Sequence, residues 1–232
     1  MPTSARIATA ESERLRRKIG FLLPELAFAG SRFVEHSRVR ELYPEYLVTM
    51  HWIVRASVPL MDTARTQALK IAERDPVAAS VAAYFEKHID EELQHDEWLL
   101  DDLEALGWDR ATVVARPPSP TVAGVVGAQY YWIFHYHPVA LLGYTMLLEG
   151  YPPTPTDVAD LMARTGYGPD AFRTMSAHAE LDPGHADELA DTIDGLILTP
   201  EQSTVLGLSA MSTAHGLARV LDELVDLYGN AA

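Results

Sequence analysis

The sequence predicts an all-α single domain of about seven or eight helices, and three observations carry that reading. Apolar residues recur at helical spacing through most of the chain. Its punctuation is that of helices, with an aspartate before proline at one start and glycine at several ends. No stretch shows convincing strand-like alternation bounded by turns. A chain of 232 residues, 48% hydrophobic and 22% charged, is long enough to bury one large core.

In chain order, the first helix is expected over about Glu11–Ala29, followed by Arg38–Thr63 and Asp62–Glu73. Asp75 before Pro76 reads as an N-cap with proline at the first helical position. From there an amphipathic pattern runs through Val81, Phe85, Ile89, Leu93, Leu99 and Leu103 to a stop at Gly107. The Pro-rich piece Ala115–Pro120 is a loop. A long helix then covers Pro120–Glu149, with a kink at Pro138, where the ring removes a backbone donor. Thr156–Thr165, Pro169–Leu196 and Glu201–Leu227 complete the set, with Gly166, Gly195 and Gly229 as C-caps. The whole of residues 1–232 reads as one domain.

Charge and composition narrow the function classes. There are 33 acidic against 18 basic residues, a formal charge of −15, which argues against nucleic-acid and anionic-membrane partners. Cysteine is absent, which removes disulfides, thiolate metal sites and cysteine nucleophiles. The stretch Ala8–Lys18 is charged and lacks the apolar core of a signal peptide. The most apolar region carries Gln129, His135, His137 and Pro138, which a bilayer would penalise. The expectation is a soluble, cytoplasmic protein.

Three predicted helices carry metal-ligand residue types at helical spacing. The first holds His88, Glu91, Glu92 and His95, the second ends on Glu149, and the third holds His178, Asp182 and His185. Residues three, four and seven apart share a helix face. Carboxylate-x-x-His occurs twice, as Glu92–His95 and Asp182–His185, a building block of di-iron and di-manganese carboxylate sites in helical bundles. Oxygen and nitrogen donors without sulfur suit Fe(II) or Mn(II) better than a soft metal, with zinc as a further option. Each piece alone reads as a solvated helix face or a turn. Three inward-facing sets in one domain are costly to bury unless a cation compensates them. Pro183 leaves two geometries open: a mildly kinked helix, or a new helix capped by Asp182.

The sequence resembles the haem-oxygenase-like di-iron oxidases and oxygenases, relatives by fold of the thiaminase TenA and the PQQ-synthesis oxidase PqqC. The resemblance rests on His88-x-x-Glu91-Glu92-x-x-His95 with Trp98-Leu-Leu-x-Asp102, on Tyr144-x-x-Leu-Leu-Glu149-Gly150, and on His178-x-x-x-Asp182-x-x-His185. It implies a haem-oxygenase-like helical bundle. It also implies two Fe(II) ions per chain held by His95, Glu149, His178, Asp182 and His185, with Mn as an alternative metal. The remaining carboxylate is assigned to Glu92, with Glu91 next to it, and His88 stands as replacement ligand or outer partner. Glu45 is a further carboxylate candidate. The implied activity is oxygen-dependent oxidation of a small organic substrate: N-oxygenation, desaturation or oxidative C–C cleavage of an amino acid, fatty acid or biosynthetic intermediate. TenA-type hydrolysis needs a cysteine that is missing here, and His36 is the one early histidine that haem could use.

Tyr131, Tyr144 and His137 lie near Glu149 in the sequence and are the candidate pocket residues, weighed against ordinary core packing. Arg55 and Arg65 are weighed as partners of a substrate carboxylate against exposed ion pairing. Two other functions fit the same ligand stripes: a ferritin-like iron-handling protein, and a metal-free binding module. A homodimer is expected.

Overall fold

A computed structural model describes residues 9–228, and Gly229 lies outside them. Among the described residues there are twelve α-helices and one 3-10 turn, with no strand. The all-α expectation holds, with more and shorter helices, because several predicted segments bend once.

The first predicted helix is two, α1 (Glu11–Gly20) and α2 (Leu23–Val34). The next two are α3 (Val39–Val54) and α4 (Ser57–Leu69). Asp75 caps α5 (Pro76–Glu92) as expected, accepting from the N–H groups of Val77 and Ala78. Its other oxygen meets Gln202 Nε2 and His137 Nε2, each at 3.1 Å. One cap thereby ties three parts of the bundle. After α6 (His95–Ala105), a short α7 (Arg110–Ala115) precedes the Pro-rich loop.

Pro138 ends a helix: α8 (Pro120–His135) and α9 (Ala140–Glu149) are separate. A capping box on Thr154 opens α10 (Pro155–Thr165), which Gly166 closes in the left-handed conformation. The turn Pro169–Ala171 leads into α11 (Arg173–Gly195), and α12 (Pro200–Asp226) closes the bundle. No helix among the described residues is long and apolar enough to cross a membrane.

The core forms around α9 and α12. Nine of the ten α9 residues are buried, so this helix is apolar all round and sits inside the bundle. Gly143 lets it cross α12 closely, since a Cβ there would strike the Leu206 carbonyl and lie 3.0 Å from the Ala210 nitrogen. Glu149 is therefore carried at the end of a rigid, buried element. A second anchor fixes α11. Asp102, fully buried on α6, accepts from the backbone N–H groups of Arg173 and Thr174 at 3.1 and 3.0 Å. It satisfies orphan donors of the α11 N-terminus from another helix. Tyr43 stacks on Phe172 at 4.3 Å and donates to the Ala171 carbonyl at 2.7 Å, locking the same entry.

The largest departure from the sequence pattern lies between α5 and α6. The expected continuous helix breaks at Leu93–Gln94, and Gln94 has φ +73°. A side chain in this left-handed conformation costs about 1–2 kcal/mol. The break lies between Glu92 and His95 and turns the chain so that both side chains point inward. In the metal-free protein, Gln94→Gly should be neutral or stabilising by up to about 1 kcal/mol, whereas Gln94→Val should cost about 2. Urea unfolding of the two variants measures the difference; equal stabilities would contradict the strain.

Candidate metal centre

Four helices bring the predicted ligand residues together: α5 supplies His88 and Glu92, α6 His95, α9 Glu149, and α11 His178, Asp182 and His185. Two groups of donors lie close enough to hold an ion. Donor atoms of Glu92, His95 and His178 fall within 4.8 Å of one another, as do those of His88, Glu92 and Glu149. Glu92 belongs to both. His95 Nδ1 is 3.2 Å from Glu92 Oε2, and His88 Nε2 is 2.9 Å from Glu149 Oε1. The imidazoles of His95 and His178 meet edge to face at 5.0 Å, those of His88 and His185 at 5.3 Å.

Helix α11 runs through Pro183 as one element, so the first of the two geometries open in the sequence is found. His178 donates its Nδ1–H to the Thr174 carbonyl of its own helix at 2.9 Å, which orients the ring and leaves Nε2 for the cluster. Asp182 is buried one turn further on, and His185 Nδ1 lies 4.0 Å from Glu149 Oε2. Neither belongs to the two tight donor groups; both flank them.

The surroundings are buried. Relative exposure is 8% or less for His88, Glu92, His95, Glu149 and Asp182. Glu149 Oε2, Asp182 Oδ1 and His185 Nδ1 are buried with no hydrogen-bond partner. Buried polar atoms are normally paired, and an orphaned carboxylate oxygen costs several kcal/mol. Three orphans around one cluster of oxygen and nitrogen donors are what cations of the iron or manganese type would satisfy. The residues fit such a group.

Electrostatics say the same. Burial pushes the Asp182 carboxyl up to about 8, helped by the charges of Glu149 and Glu92. Burial also raises Glu149, against the pull of His88. For His88, burial lowers the affinity for a proton, but Glu149 and Glu91 outweigh it and lift the imidazole to about 9. Burial lowers His178. Without a cation the cluster holds protons in place of positive charge.

Several candidates fall elsewhere. Glu91 is partly exposed, pairs with Lys87, and meets His88 Nδ1 at 3.1 Å, so it orients that ring from outside. Glu45 is held by Arg116 at 2.8 Å in a separate cavity with Trp52 and Glu223, which corrects its reading as a carboxylate for the cluster. Tyr131 is 53% exposed on α8 and lines no cavity beside the cluster. His137 is buried in the Asp75–Gln202 tie, and its Nδ1 accepts from the Val139 N–H at 3.0 Å. Tyr144 is buried near Glu149 and Glu92 but lies outside the cavity lining. His36 accepts from the Arg38 N–H in the turn between α2 and α3. Arg65 pairs with Asp62 and Glu86 at the surface.

The cavity that reaches the cluster was not legible as a pocket. It measures about 140 Å³, touches Glu92, Glu149, His178 and Asp182, and is otherwise walled chiefly by apolar side chains. Its α3 wall is Tyr46, Leu47, Met50, Ile53 and Val54, with Met175 opposite. These α3 positions share one helix face, a signal that ordinary core packing gives equally well.

The pKa shifts predict a pH dependence for the metal-free protein. His88 and Asp182 are both raised on folding, so the folded state binds extra protons and their contribution is lost as pH rises. The Asp182 contribution should therefore be lost between pH 3.8 and about 8 and that of His88 between 6.5 and about 9, the ordinary and folded values of each, so that stability falls through neutral pH. Asp182→Asn should flatten that slope and stabilise the metal-free protein at pH 8 by on the order of 2 kcal/mol. Chemical denaturation at several pH values tests both, and a flat wild-type profile would contradict the buried-proton account.

Comparison with known proteins agrees with this geometry. The sequence model of a family described as iron-containing redox enzymes matches residues 39–215. Similar solved structures include a domain of unknown function with a haem oxygenase-like fold from Shewanella denitrificans OS217, at 17% identity and TM-score 0.75, covering 93% of this chain and 90% of that one. A CadD-like protein of unknown function from Nostoc punctiforme PCC 73102 has 17% identity and TM-score 0.70, covering 94% and 98%. A TenA homologue from Pseudomonas syringae pv. tomato DC3000 has 14% identity and TM-score 0.63, covering 89% and 91%. A search of the curated proteins finds no match. The fold is haem-oxygenase-like, and with its family match covering well over half its length this chain belongs to the iron-containing redox enzymes.

Proposed function

We propose that the protein is a non-haem di-iron enzyme that uses dioxygen to oxidise a small organic substrate. The observation that carries this reading is the shared Glu92, a single buried carboxylate common to two donor groups. In this assignment Glu92, His95 and His178 hold one ion, and His88, Glu92 and Glu149 hold the other. Asp182 and His185, the flanking residues with unpartnered buried atoms, complete the set. Ferrous iron bound there would supply the electrons for reducing dioxygen, chemistry that no side chain of this chain provides.

The chain's own residues do the rest. Glu91 keeps the His88 ring turned inward through Nδ1, leaving Nε2 for the cluster. The Thr174 carbonyl does the same for His178. Asp102 holds α11 in register, and the α9–α12 crossing fixes Glu149. Leu47, Met50, Ile53 and Leu99 exclude water from one side of the cluster and leave room for an apolar group. About 140 Å³ matches a group of benzene's size, since a cavity of roughly 150 Å³ accepts benzene. The described lining contains no lysine or arginine, so an anionic group on the substrate would find its countercharge only at the metals. That apolar cavity favours substrate oxidation over iron storage, which needs none.

Anaerobic titration should load two Fe(II) per chain and raise the melting temperature, because a ligand of the native state stabilises it. Glu92→Gln should weaken both sites, while His95→Ala should spare the second. Addition of oxygen should consume about one O₂ per two irons without a mineral product. Uptake below one iron per chain, or loading indifferent to Glu92→Gln, overturns the assignment. Many-turnover iron oxidation yielding mineral would make the protein an iron-handling one.

A further inference from the structure

Helix α8 is the odd surface of this chain. Its 16 residues contain no aspartate, glutamate, lysine or arginine, where the 22% average would place about three or four. Val122, Val125, Gln129 and Ile133 face the core. The outward face is Ala123, Gly124, Gly127, Tyr131, Phe134 and His135, a continuous stripe at helical spacing. Tyr131, Phe134 and, just beyond the helix, Tyr136 are 53, 56 and 62% exposed. They are not loose: Tyr131 packs on His135 at 4.6 Å and on Tyr136 at 6.0 Å, and Tyr136 packs on Trp132 at 5.4 Å. Rigid aromatic anchors on an uncharged face are the composition of an interface core.

We propose that this face binds a second copy of the chain, α8 packing antiparallel on α8 about a two-fold axis at Gly127. The spacing is self-complementary. Tyr131 and Phe134 lie four and seven positions after Gly127, and Ala123 and Pro120 lie four and seven before it. A two-fold at Gly127 sets each ring of one copy against a small or flat residue of the other, as an isologous contact requires. A Cβ at Gly124 or Gly127 would meet no atom of its own chain within 4 Å, so the helices can approach closely there. Beside the stripe, a groove of about 410 Å³ between α8 and α12, lined by Gly124, Ala128, Ser212 and Gly216, gives the rings somewhere to go.

The groove lacks the marks of a small-molecule site. Gln129 is satisfied by the Val125 carbonyl, Thr213 and Ser209, and His215 is paired with Glu25 at 2.9 Å. Charge selects the occupant. A chain of charge −15 repels its own copies, so contact is least opposed along a helix that carries no acid of its own; Glu223 beside Ser119 and Glu25 beside His215 stand at its borders, and Arg219 lines the groove. Such a dimer tightens as salt screens the repulsion, the reverse of an ion-paired interface.

Sedimentation of the full chain at about 0.05 and about 0.5 M NaCl tests this. A dimer is expected, with affinity rising with salt. Phe134→Glu and Gly127→Arg should each weaken it at least about tenfold. The second adds helix propensity at a position open to solvent, so its melting temperature should not fall in the monomer. A chain that stays monomeric at both salts, whether or not it floats with phosphatidylcholine vesicles, overturns the proposal. So does a dimer indifferent to both variants, or one that salt dissolves. Iron loading is measured separately and can succeed or fail independently.

Discussion

Burial of like charge is the constraint on which this structure depends. Glu92, Glu149 and Asp182 converge in a buried interior, where three carboxylates repel one another and the lining of the adjoining cavity holds no lysine or arginine. Four imidazoles surround them and answer only part of the need: burial lowers the proton affinity of His178, while His88 is raised by its carboxylate neighbours. Such a cluster persists in a folded protein when the bundle's other contacts hold it, and it becomes favourable when cations arrive. The rest of the architecture serves that purpose. The apolar α9, the α9–α12 crossing, the Asp102 clamp and the Asp75 tie each fix one ligand-bearing segment by contacts remote from the donors.

The same reasoning explains where backbone strain is tolerated. A continuous α5–α6 helix would carry Glu92 and His95 on one stripe, with little freedom in their mutual angle. The left-handed Gln94 buys that freedom at the one junction between two donors. Pro183 perturbs the opposite wall less, since α11 stays one helix and His178 is steadied by a carbonyl of its own first turn.

The class of fold was legible because helix starts and stops are local chemistry. Asp75-Pro76 and Gly166 behave as their sequence reads. The ligand stripes were legible because imidazole and carboxylate at helical spacing are rare in company. The bends were not: Leu93-Gln94 contains neither glycine nor proline, so nothing local in the sequence marks the left-handed Gln94 or the inward placing of Glu92 and His95 on either side of it. The pocket was misplaced onto the aromatic run after Tyr130 because that run is close to Glu149 in sequence. Pro138 ends α8 and sends those rings to the surface, leaving α3 to wall the cavity.

In the proposed assignment one carboxylate, Glu92, serves two metal ions. Anomalous diffraction from crystals soaked anaerobically in Mn(II) or Fe(II) examines it most directly. Two peaks are expected, one between Glu92, His95 and His178 and the other between His88, Glu92 and Glu149, with the Glu92 carboxylate touching both. A single peak that leaves Glu92 unligated, or no peak within the four-helix cluster, would contradict it.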